Sequence, residues 1–269
     1  MTTAGDHSDR YGELRGLAVE LALAASAVHR QGRERALEIS IKSAPNDYVS
    51  DVDRLAEATI VERLAVARPH DGVLAEEGSA HPGDSGVRWI IDPLDGTMNY
   101  VYGYPLYCSS VAAEVDGEVA VAAVSESPTG SVFWAVRGGG AWQDDRRLAV
   151  RRQTDLGRAL VGTGFSYDAR QRTRQGAVIA RLLDKVADIR HGGAAALDLC
   201  RLAAAQLDAY FELDLSPWDY AAGRLIAQEA GAEVEELPAA HGKGPAVVGA
   251  SSELMPSFVA LLRAAGAIV

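Results

Sequence analysis

The feature that most constrains the fold of this chain is a change in its hydrophobic pattern near residue 155. Before that point, short turns separate apolar segments, and Asp116-Gly117 between 108–115 and 118–126 is a strong two-residue hairpin signal. After it, short apolar segments alternate with stretches of helical periodicity. We therefore expect an α+β half with an antiparallel sheet, followed by an α/β half.

The two halves define the predicted domains, 1–153 and 154–269. The helix predicted over 51–68 is expected to turn Leu55 and Thr59 toward the core. The elements predicted in the first half are helices at 10–30 and 51–68 and strands at 36–43, 72–77, 88–92, 108–115, 118–126 and 131–137. Those predicted in the second half are strands at 159–163, 186–190, 208–213, 232–237 and 246–250 and helices at 168–185, 194–205, 218–230 and 252–265.

The charge balance restricts the partners. The chain has 269 residues, with 26 Lys and Arg against 37 Asp and Glu, and its formal net charge is −11. Nucleic acid and anionic membrane both attract basic surfaces, so neither is an expected partner. Cys108 and Cys200 are too few and too far apart for a disulfide framework or a cysteine metal site. The polar N-terminus lacks a signal-peptide pattern, and we expect a cytoplasmic location.

The densest chemical signal lies at 89–99, where an apolar segment ends in two aspartates three positions apart. A proline follows Asp92 and restricts the backbone, and the spacing to Asp95 lets both carboxylates face one point. With the Leu94 carbonyl they form a set of hard oxygen ligands that suits Mg²⁺. Gly96 permits an unusual backbone angle, so that nearby amides can bind a phosphate. Taken alone, the segment is better explained as an ordinary Asp-rich β-turn.

Other acids follow a similar pattern. Glu76 and Glu77 end a short apolar segment, Asp219 opens an alanine-rich helix, and acids cluster at 47–53 before another helix. Singly, Asp219 and the 47–53 cluster are explained as ordinary acids at helix N-termini. Together with the 89–99 segment, and in this order, the groups favour one shared site.

These segments resemble the inositol monophosphatase family of Mg²⁺-dependent, Li⁺-sensitive phosphatases. They are D-Y-V-S-D-V-D at 47–53, E-E at 76–77, W-I-I-D-P-L-D-G-T-M-N at 89–99 and W-D-Y-A-A-G at 218–223. The similarity extends over almost the whole chain. It implies an α/β protein with a layered αβαβα sugar-phosphatase-like fold, and a homodimer.

The resemblance also implies two or three Mg²⁺ ions per active site. The implied metal ligands are Glu76, Asp92, the Leu94 carbonyl, Asp95 and Asp219. Asp92 would bridge two ions, and a metal-activated water would attack phosphorus directly. Thr97 would orient that water, Asp53 would accept a hydrogen bond from Thr97, and Glu76 would act as base or ligand.

The alcohol part of the substrate has its own implied contacts. The full set of implied substrate contacts is Asp95, Gly96, Thr97, Gly193, Ala194, Ala195, Glu212 and Asp219. Glu212 would bind a hydroxyl, whereas Gly193 is equally explained as a plain turn before a helix. Two departures from better-known members bear on substrate preference, because Ala194 replaces Ser or Thr and Gly78 replaces a common Ser.

The expected activity is hydrolysis of a phosphate monoester, with inositol-1-phosphate as first choice because the chain lacks insertions that could enclose a larger substrate. Histidinol phosphate is the runner-up, and a non-catalytic regulatory binding role is the alternative from another class. The D-x-D-G-T loop of haloacid-dehalogenase phosphatases places its aspartates two apart, whereas the spacing here is three, which excludes that class. Bound Mg²⁺ would reverse the local negative charge and make phosphate binding favourable.

Overall fold

The computed structural model describes residues 11–34 and 36–269. Its helices are α1 (Gly12–Gly32), α2 (Asp51–Ala67), α3 (Thr97–Tyr102), α4 (Ala169–Leu182), α5 (Ala195–Ala203), α6 (Pro217–Glu229) and α7 (Met255–Ala265). Its strands are β1 (Ile39–Ile41), β2 (Tyr48–Ser50), β3 (Gly72–Ala75), β4 (Ala80–His81), β5 (Val87–Asp95), β6 (Cys108–Val115), β7 (Glu118–Glu126), β8 (Ser131–Val136), β9 (Gly140–Gln143), β10 (Arg146–Arg147), β11 (Leu160–Thr163), β12 (Asp188–His191), β13 (Ala209–Leu213), β14 (Ala232–Leu237) and β15 (Ala246–Ser251).

The larger sheet has eight strands in the order β10-β9-β8-β7-β6-β5-β3-β4. Neighbours pair antiparallel except β3 and β5, which are parallel. Asp116 and Gly117 join β6 to β7 with φ of 54° and 84°, typical of a type I′ turn, which confirms the predicted hairpin. β5 extends beyond its predicted end at Asp92 to Asp95, with a bulge between the two aspartates.

The smaller sheet has five strands in the order β12-β11-β13-β15-β14. β12, β11 and β13 are parallel, and α4 and α5 supply the crossovers between them, as an α/β pattern predicts. β15 is antiparallel to both β13 and β14. The second half is therefore α/β with an antiparallel pair at one edge.

Three clusters of buried apolar residues define the layers. One joins α1 and α2 to a face of the larger sheet, and Trp89 belongs to it. The next residue, Ile90, belongs to a second cluster between the sheets, where α5 and α6 lie, because side chains alternate across a strand. A third cluster joins the smaller sheet to α4 and α7 and includes Phe211 and Phe258. The order of helices, sheet, helices, sheet and helices confirms the predicted αβαβα fold.

The buried face of α2 differs from the predicted one. Leu55 is 49% exposed and Thr59 is only partly buried. Asp53 and Glu57 are buried instead, and their carboxylates accept hydrogen bonds from Thr97 and from the Glu77 amide. Apolar periodicity cannot identify this face, because two of its positions are acidic.

The halves share a core, since the cluster between the sheets contains both Ile90 and Leu197. The domain boundary between 153 and 154 stays a prediction. Among the described residues, no helix combines the length and the hydrophobicity that crossing a membrane requires.

Candidate active site

The end of β5 presents the two aspartates of the 89–99 segment. Asp92 and Asp95 are buried, with 2% and 8% of their surface exposed. The Leu94 amide donates to Asp92 Oδ1 over 3.0 Å. Asp95 Oδ2 accepts from the Ala196 amide at 2.8 Å and from the Cys108 thiol at 3.6 Å. Each carboxylate is thus oriented by a backbone amide.

A glycine is required at the turn that follows. Gly96 has φ of 90°, a left-handed conformation that strains other residues, and an added Cβ would lie 3.0 Å from the Leu106 carbonyl oxygen. Gly96 is also the N-cap residue of α3, which begins at Thr97. The turn therefore places the backbone amides of 96–97 beside the aspartates.

Asp53 and Thr97 meet although 44 positions separate them. Thr97 Oγ1 donates to Asp53 Oδ1 over 2.7 Å. Asp53 Oδ2 accepts from the Ser50 amide at 2.8 Å and from the Ser50 hydroxyl, which completes a capping box at the start of α2. Since both of its oxygens are engaged, Asp53 can hold Thr97 but is not free to bind a metal.

Asp219 has a comparable position at the start of α6. Pro217 begins this helix, and the Ser216 amide donates to Asp219 Oδ2 over 2.6 Å. Asp219 nevertheless lines the same cavity as Asp92. The helix-capping explanation and the site explanation of this acid are therefore compatible.

Glu76 contacts a lysine that the sequence analysis did not identify. Lys42 Nζ lies 2.9 Å from Glu76 Oε1 and 2.5 Å from Glu77 Oε1. Burial lowers the pKa of Lys42, but attraction from both glutamates outweighs it and raises that pKa above its usual range. The pKa of Glu77 is raised to about 7, first by burial, although the Lys42 hydrogen bond opposes the shift. No motif marks Lys42, which directly follows β1.

The acids share a cavity of about 230 Å³, whose lining includes Glu76, Asp92, Leu94, Asp95, Thr97 and Asp219. Burial raises the pKa of Asp92 well above its usual range, and repulsion from its acidic neighbours adds to the shift. Burial also raises the pKa of Asp95 to about 7 and that of Asp219 well above its usual range. Ionisation of this cluster is unfavourable without a nearby cation.

The donor chemistry fits a divalent cation such as Mg²⁺, because every available ligand is a hard oxygen. The residues that could supply these oxygens are Glu76, Asp92, the Leu94 carbonyl, Asp95 and Asp219. In the part of the chain that the structure describes, no three Asp, Glu, His or Cys side chains are arranged around one common ion position. One of these donors, Glu76, is engaged by Lys42.

A second cavity of about 310 Å³ adjoins the first, and Asp95, Gly96 and Asp219 line both. Glu212 also lines it and accepts a hydrogen bond from the Tyr210 hydroxyl at 2.8 Å. Burial raises the pKa of Glu212 to about 7, although this hydrogen bond opposes the shift.

The loop before α5 forms another wall of this cavity. Asn99 Nδ2 donates to the Gly192 carbonyl over 2.9 Å and so joins the loop to α3. Gly193 has φ of 78°, and both Gly193 and Ala195 line the cavity. Ala194, predicted as a substrate contact, is buried and lines a different cavity, on the other side of this loop.

Comparison with known proteins identifies the family. The sequence profile of the inositol monophosphatase family matches residues 11–267. The chain belongs to this family. The inositol-1-monophosphatase SuhB of Mycobacterium tuberculosis is 41% identical over 271 residues, 93% of each chain. The Nus factor SuhB of Vibrio cholerae is 44% identical over 194 residues, 71% of this chain and 73% of that protein.

The fold agrees with that assignment. The crystal structure of the extragenic suppressor protein suhB from Bartonella henselae superposes with a TM-score of 0.85 at 32% identity, covering 94% of this chain and 98% of that one. Membership of the inositol monophosphatase family supports a phosphatase activity, of a kind that is generally metal-dependent.

The two departures from better-known family members differ in their surroundings. Gly78 has φ of 121°, and no atom lies within 4 Å of an added Cβ, so only the backbone angle disfavours a side chain there. Ala194 is the N-cap residue of α5 and makes no side-chain capping hydrogen bond. A Ser or Thr at this position would supply the missing cap.

The sequence analysis also missed residues of the second cavity, namely Phe165, Tyr167 and Arg172. The Arg172 guanidinium lies 5.7 Å from the Phe165 ring centroid. Among the described residues, Arg172 forms no ion pair with a carboxylate; it donates to the Ser166 carbonyl at 3.3 Å. The available signal was the position of these residues after β11, since the carboxyl ends of parallel strands open toward a site.

Proposed function

We propose that this chain is a Mg²⁺-dependent phosphomonoesterase that hydrolyses inositol-1-phosphate, or a similar small polyol phosphate, to the alcohol and phosphate. The observation that supports this proposal is the cavity that brings Glu76, Asp92, Asp95 and Asp219 beside the Thr97 hydroxyl. Such an acidic cavity repels a phosphate ester unless bound cations reverse its charge. The activity is that of a phosphoric monoester hydrolase, EC 3.1.3 type.

The five oxygen donors named above would hold two or three divalent cations, which would supply water activation and charge neutralisation at the phosphate. The chain's own residues orient the reactants. Because Thr97 Oγ1 donates to Asp53, its lone pairs can accept a hydrogen bond from the attacking water. The amides of Gly96 and Thr97 bind phosphate oxygens, and Glu76 serves as base or ligand once Lys42 releases it.

The second cavity accepts the alcohol. Glu212, in its ionised form, accepts a hydrogen bond from a substrate hydroxyl, and the 193–195 backbone supplies further contacts. Arg172 places a positive charge at the same cavity as Glu212. This polar lining suits a polyol better than an apolar alcohol.

Two alternatives remain candidates for specific reasons. Histidinol phosphate carries an ammonium group, and Glu212 could bind that group in place of a hydroxyl. A non-catalytic regulatory role is supported by the relative named a Nus factor in Vibrio cholerae. In that role the chain would retain its biological effect without turnover.

Several associated properties belong to the same proposal. They are a homodimer, inhibition by Li⁺ and a cytoplasmic location. The support for a homodimer is the exposed surface of Tyr102 and Tyr104, 74% and 55% exposed, at the end of α3. Burial of two such aromatic side chains against a second copy is favourable.

A phosphate-release panel tests the proposal. The substrates are inositol-1-phosphate, histidinol phosphate, glycerol-2-phosphate and fructose-1,6-bisphosphate, each with Mg²⁺ and with a chelator. We expect release that depends on Mg²⁺ and is fastest with inositol-1-phosphate. Fastest release from histidinol phosphate would select that alternative, and no metal-dependent release by folded protein would contradict the enzymatic proposal.

A further inference from the structure

A buried hydrogen-bonded chain of side chains lies directly beneath the metal-ligand turn. His29, on α1, is fully buried. Its Nε2 lies 2.9 Å from the Pro93 carbonyl oxygen and its Nδ1 lies 2.8 Å from Ser127 Oγ. Ser26 Oγ lies 2.8 Å from both Ser125 Oγ and Ser127 Oγ. These contacts connect α1 to β5 and to the end of β7.

The partners of His29 determine which nitrogen carries its proton. The Pro93 carbonyl can only accept a hydrogen bond, so Nε2 must be protonated. Burial lowers the pKa of His29 to about 3, and the ring is therefore neutral near pH 7. Nδ1 of a neutral ring that is protonated at Nε2 can only accept, and Ser127 is its donor.

His29 also contacts the helix that follows the metal-ligand turn. The Tyr100 hydroxyl, from α3, donates to the His29 carbonyl over 2.7 Å. The imidazole ring lies 6.0 Å from the Tyr100 ring and 6.2 Å from the Tyr107 ring, measured between centroids. His29 thus contacts Pro93, within the segment that carries the acids, and Tyr100, which directly follows that segment.

The peptide between Pro93 and Leu94 explains why this contact matters. Its carbonyl oxygen accepts from His29, and its N–H donates to Asp92 Oδ1 at 3.0 Å. The two groups lie on opposite edges of one planar unit, so rotating the peptide breaks both hydrogen bonds together. Fixing the carbonyl edge therefore fixes the direction of the Leu94 N–H that holds Asp92.

We propose that His29 is a positioning residue for the metal-ligand turn: its Nε2–H holds the Pro93 carbonyl so that Asp92, the Leu94 carbonyl and Asp95 face the cleft. The inference rests on the proposed function, because it takes these oxygens as ligands of the divalent cation. It assigns a role in metal binding to a residue of α1 that is buried and far from the ligands in sequence.

The test compares two amide replacements of similar size. His29→Gln can place its amide N–H near the Nε2 position and keep the bond to Pro93, whereas His29→Asn reaches only the Nδ1 position and loses it. We expect His29→Asn to weaken Mg²⁺ binding by about 10-fold or more, the range of lost outer-shell partners, and His29→Gln to weaken it by less than about 3-fold. Titration calorimetry with Mg²⁺ alone measures both, beside the Mg²⁺ dependence of phosphate release.

A second pair of variants keeps the test decisive if His29→Asn does not fold. Ser127→Ala removes the donor that fixes the ring tautomer, whereas Ser26→Ala touches neither His29 nor Pro93. We expect weaker Mg²⁺ binding for Ser127→Ala than for Ser26→Ala. Equal Mg²⁺ affinity within both pairs, whatever their melting temperatures, would overturn the inference.

The outcome separates this inference from the proposed function. If the wild-type chain binds Mg²⁺ but releases no phosphate from any ester, the proposed function fails while the calorimetric comparison still judges His29. If the wild-type chain binds no Mg²⁺, both are overturned.

Discussion

Two acids of the site each cap a helix and also belong to the site. Asp53 and Asp219 each accept a hydrogen bond from a serine amide at a helix start. Asp219 also lines the cleft, and Asp53 accepts a hydrogen bond from Thr97, which lines it. A helix start is a favourable place for such an acid, because the local positive potential partly offsets its burial. This dual role explains why either acid, taken alone, resembles an ordinary capping residue.

Asp92→Asn is the most direct test of a single metal ligand. The amide keeps an oxygen for the Leu94 N–H but loses the negative charge that attracts a cation. We expect metal-dependent phosphate release to fall by more than about 100-fold, beyond the range seen for outer-shell partners of metal ligands. The melting temperature of the metal-free protein should not fall, because repulsion among the acids is reduced.

Asp145→Asn is the matched control, since Asp145 is exposed in the turn between β9 and β10. It makes the same chemical change away from the cleft and should leave turnover unchanged. Near-native turnover of Asp92→Asn would contradict the assignment of Asp92 as a metal ligand.

At the scale of elements, the ends of β5, α2 and α6 meet at the cleft. The bulge at the end of β5 separates Asp92 from Asp95, and the capping box of α2 holds Asp53 against Thr97. Bulges and caps redirect side chains at points where regular pairing stops. The geometry of the site therefore depends on how these elements end more than on their regular parts.

Ser50→Ala tests this link between a helix cap and the site. The change removes the hydroxyl that accepts from the Val52 and Asp53 amides and that donates to Asp53 Oδ2. We expect the free energy of unfolding to fall by about 1 kcal/mol and turnover to fall because Asp53 holds Thr97 less firmly. Urea unfolding and phosphate release measure the two effects.

Ser50→Thr is the control, because it retains the capping hydroxyl. It should keep most of the stability and turnover. If Ser50→Ala unfolds at the same urea concentration as the wild type, the cap does not stabilise α2.

At the scale of the whole molecule, the fold accommodates a cluster of buried acids. The pKa values of Asp95, Glu77 and Glu212 are each raised to about 7. Unfolding returns such groups to water, where they ionise near pH 4. The folded, metal-free chain therefore holds more protons than the unfolded chain between about pH 4 and pH 7.

This difference predicts how stability depends on pH. Stability of the metal-free protein should be highest near the lower end of that window and should fall as pH rises toward 7, because the unfolded chain binds fewer protons. Mg²⁺ offsets the repulsion once the acids are ionised. We expect Mg²⁺ to raise the melting temperature more at pH 8 than at pH 5.

Scanning calorimetry with Mg²⁺ and with a chelator at both pH values measures this effect. The samples with chelator, which contain no free Ca²⁺ or Mg²⁺, give the melting temperature of the metal-free protein at each pH. An equal rise in melting temperature at pH 5 and pH 8 would contradict competition between protons and Mg²⁺ for these acids.

The sequence by itself determined the family, most of the longer helices and strands, and the segments that carry the acids, although it missed the short elements β2, β4, β9, β10 and α3. These depend on neighbours along the chain: apolar periodicity defines helices and strands, and a proline between the two carboxylates with a glycine after them defines the 89–99 turn. Even Asp116-Gly117 specifies its hairpin without outside help, because the two residues themselves accept positive φ.

Only the tertiary structure decided which other side chains reach those acids. Lys42 meets Glu76 across 34 positions, Arg172 reaches the cavity from α4, and His29 meets Pro93 across 64 positions. It also decided that α2 buries Asp53 while exposing Leu55. The physical reason is that contact between distant segments depends on how whole layers pack, and no local pattern records that packing.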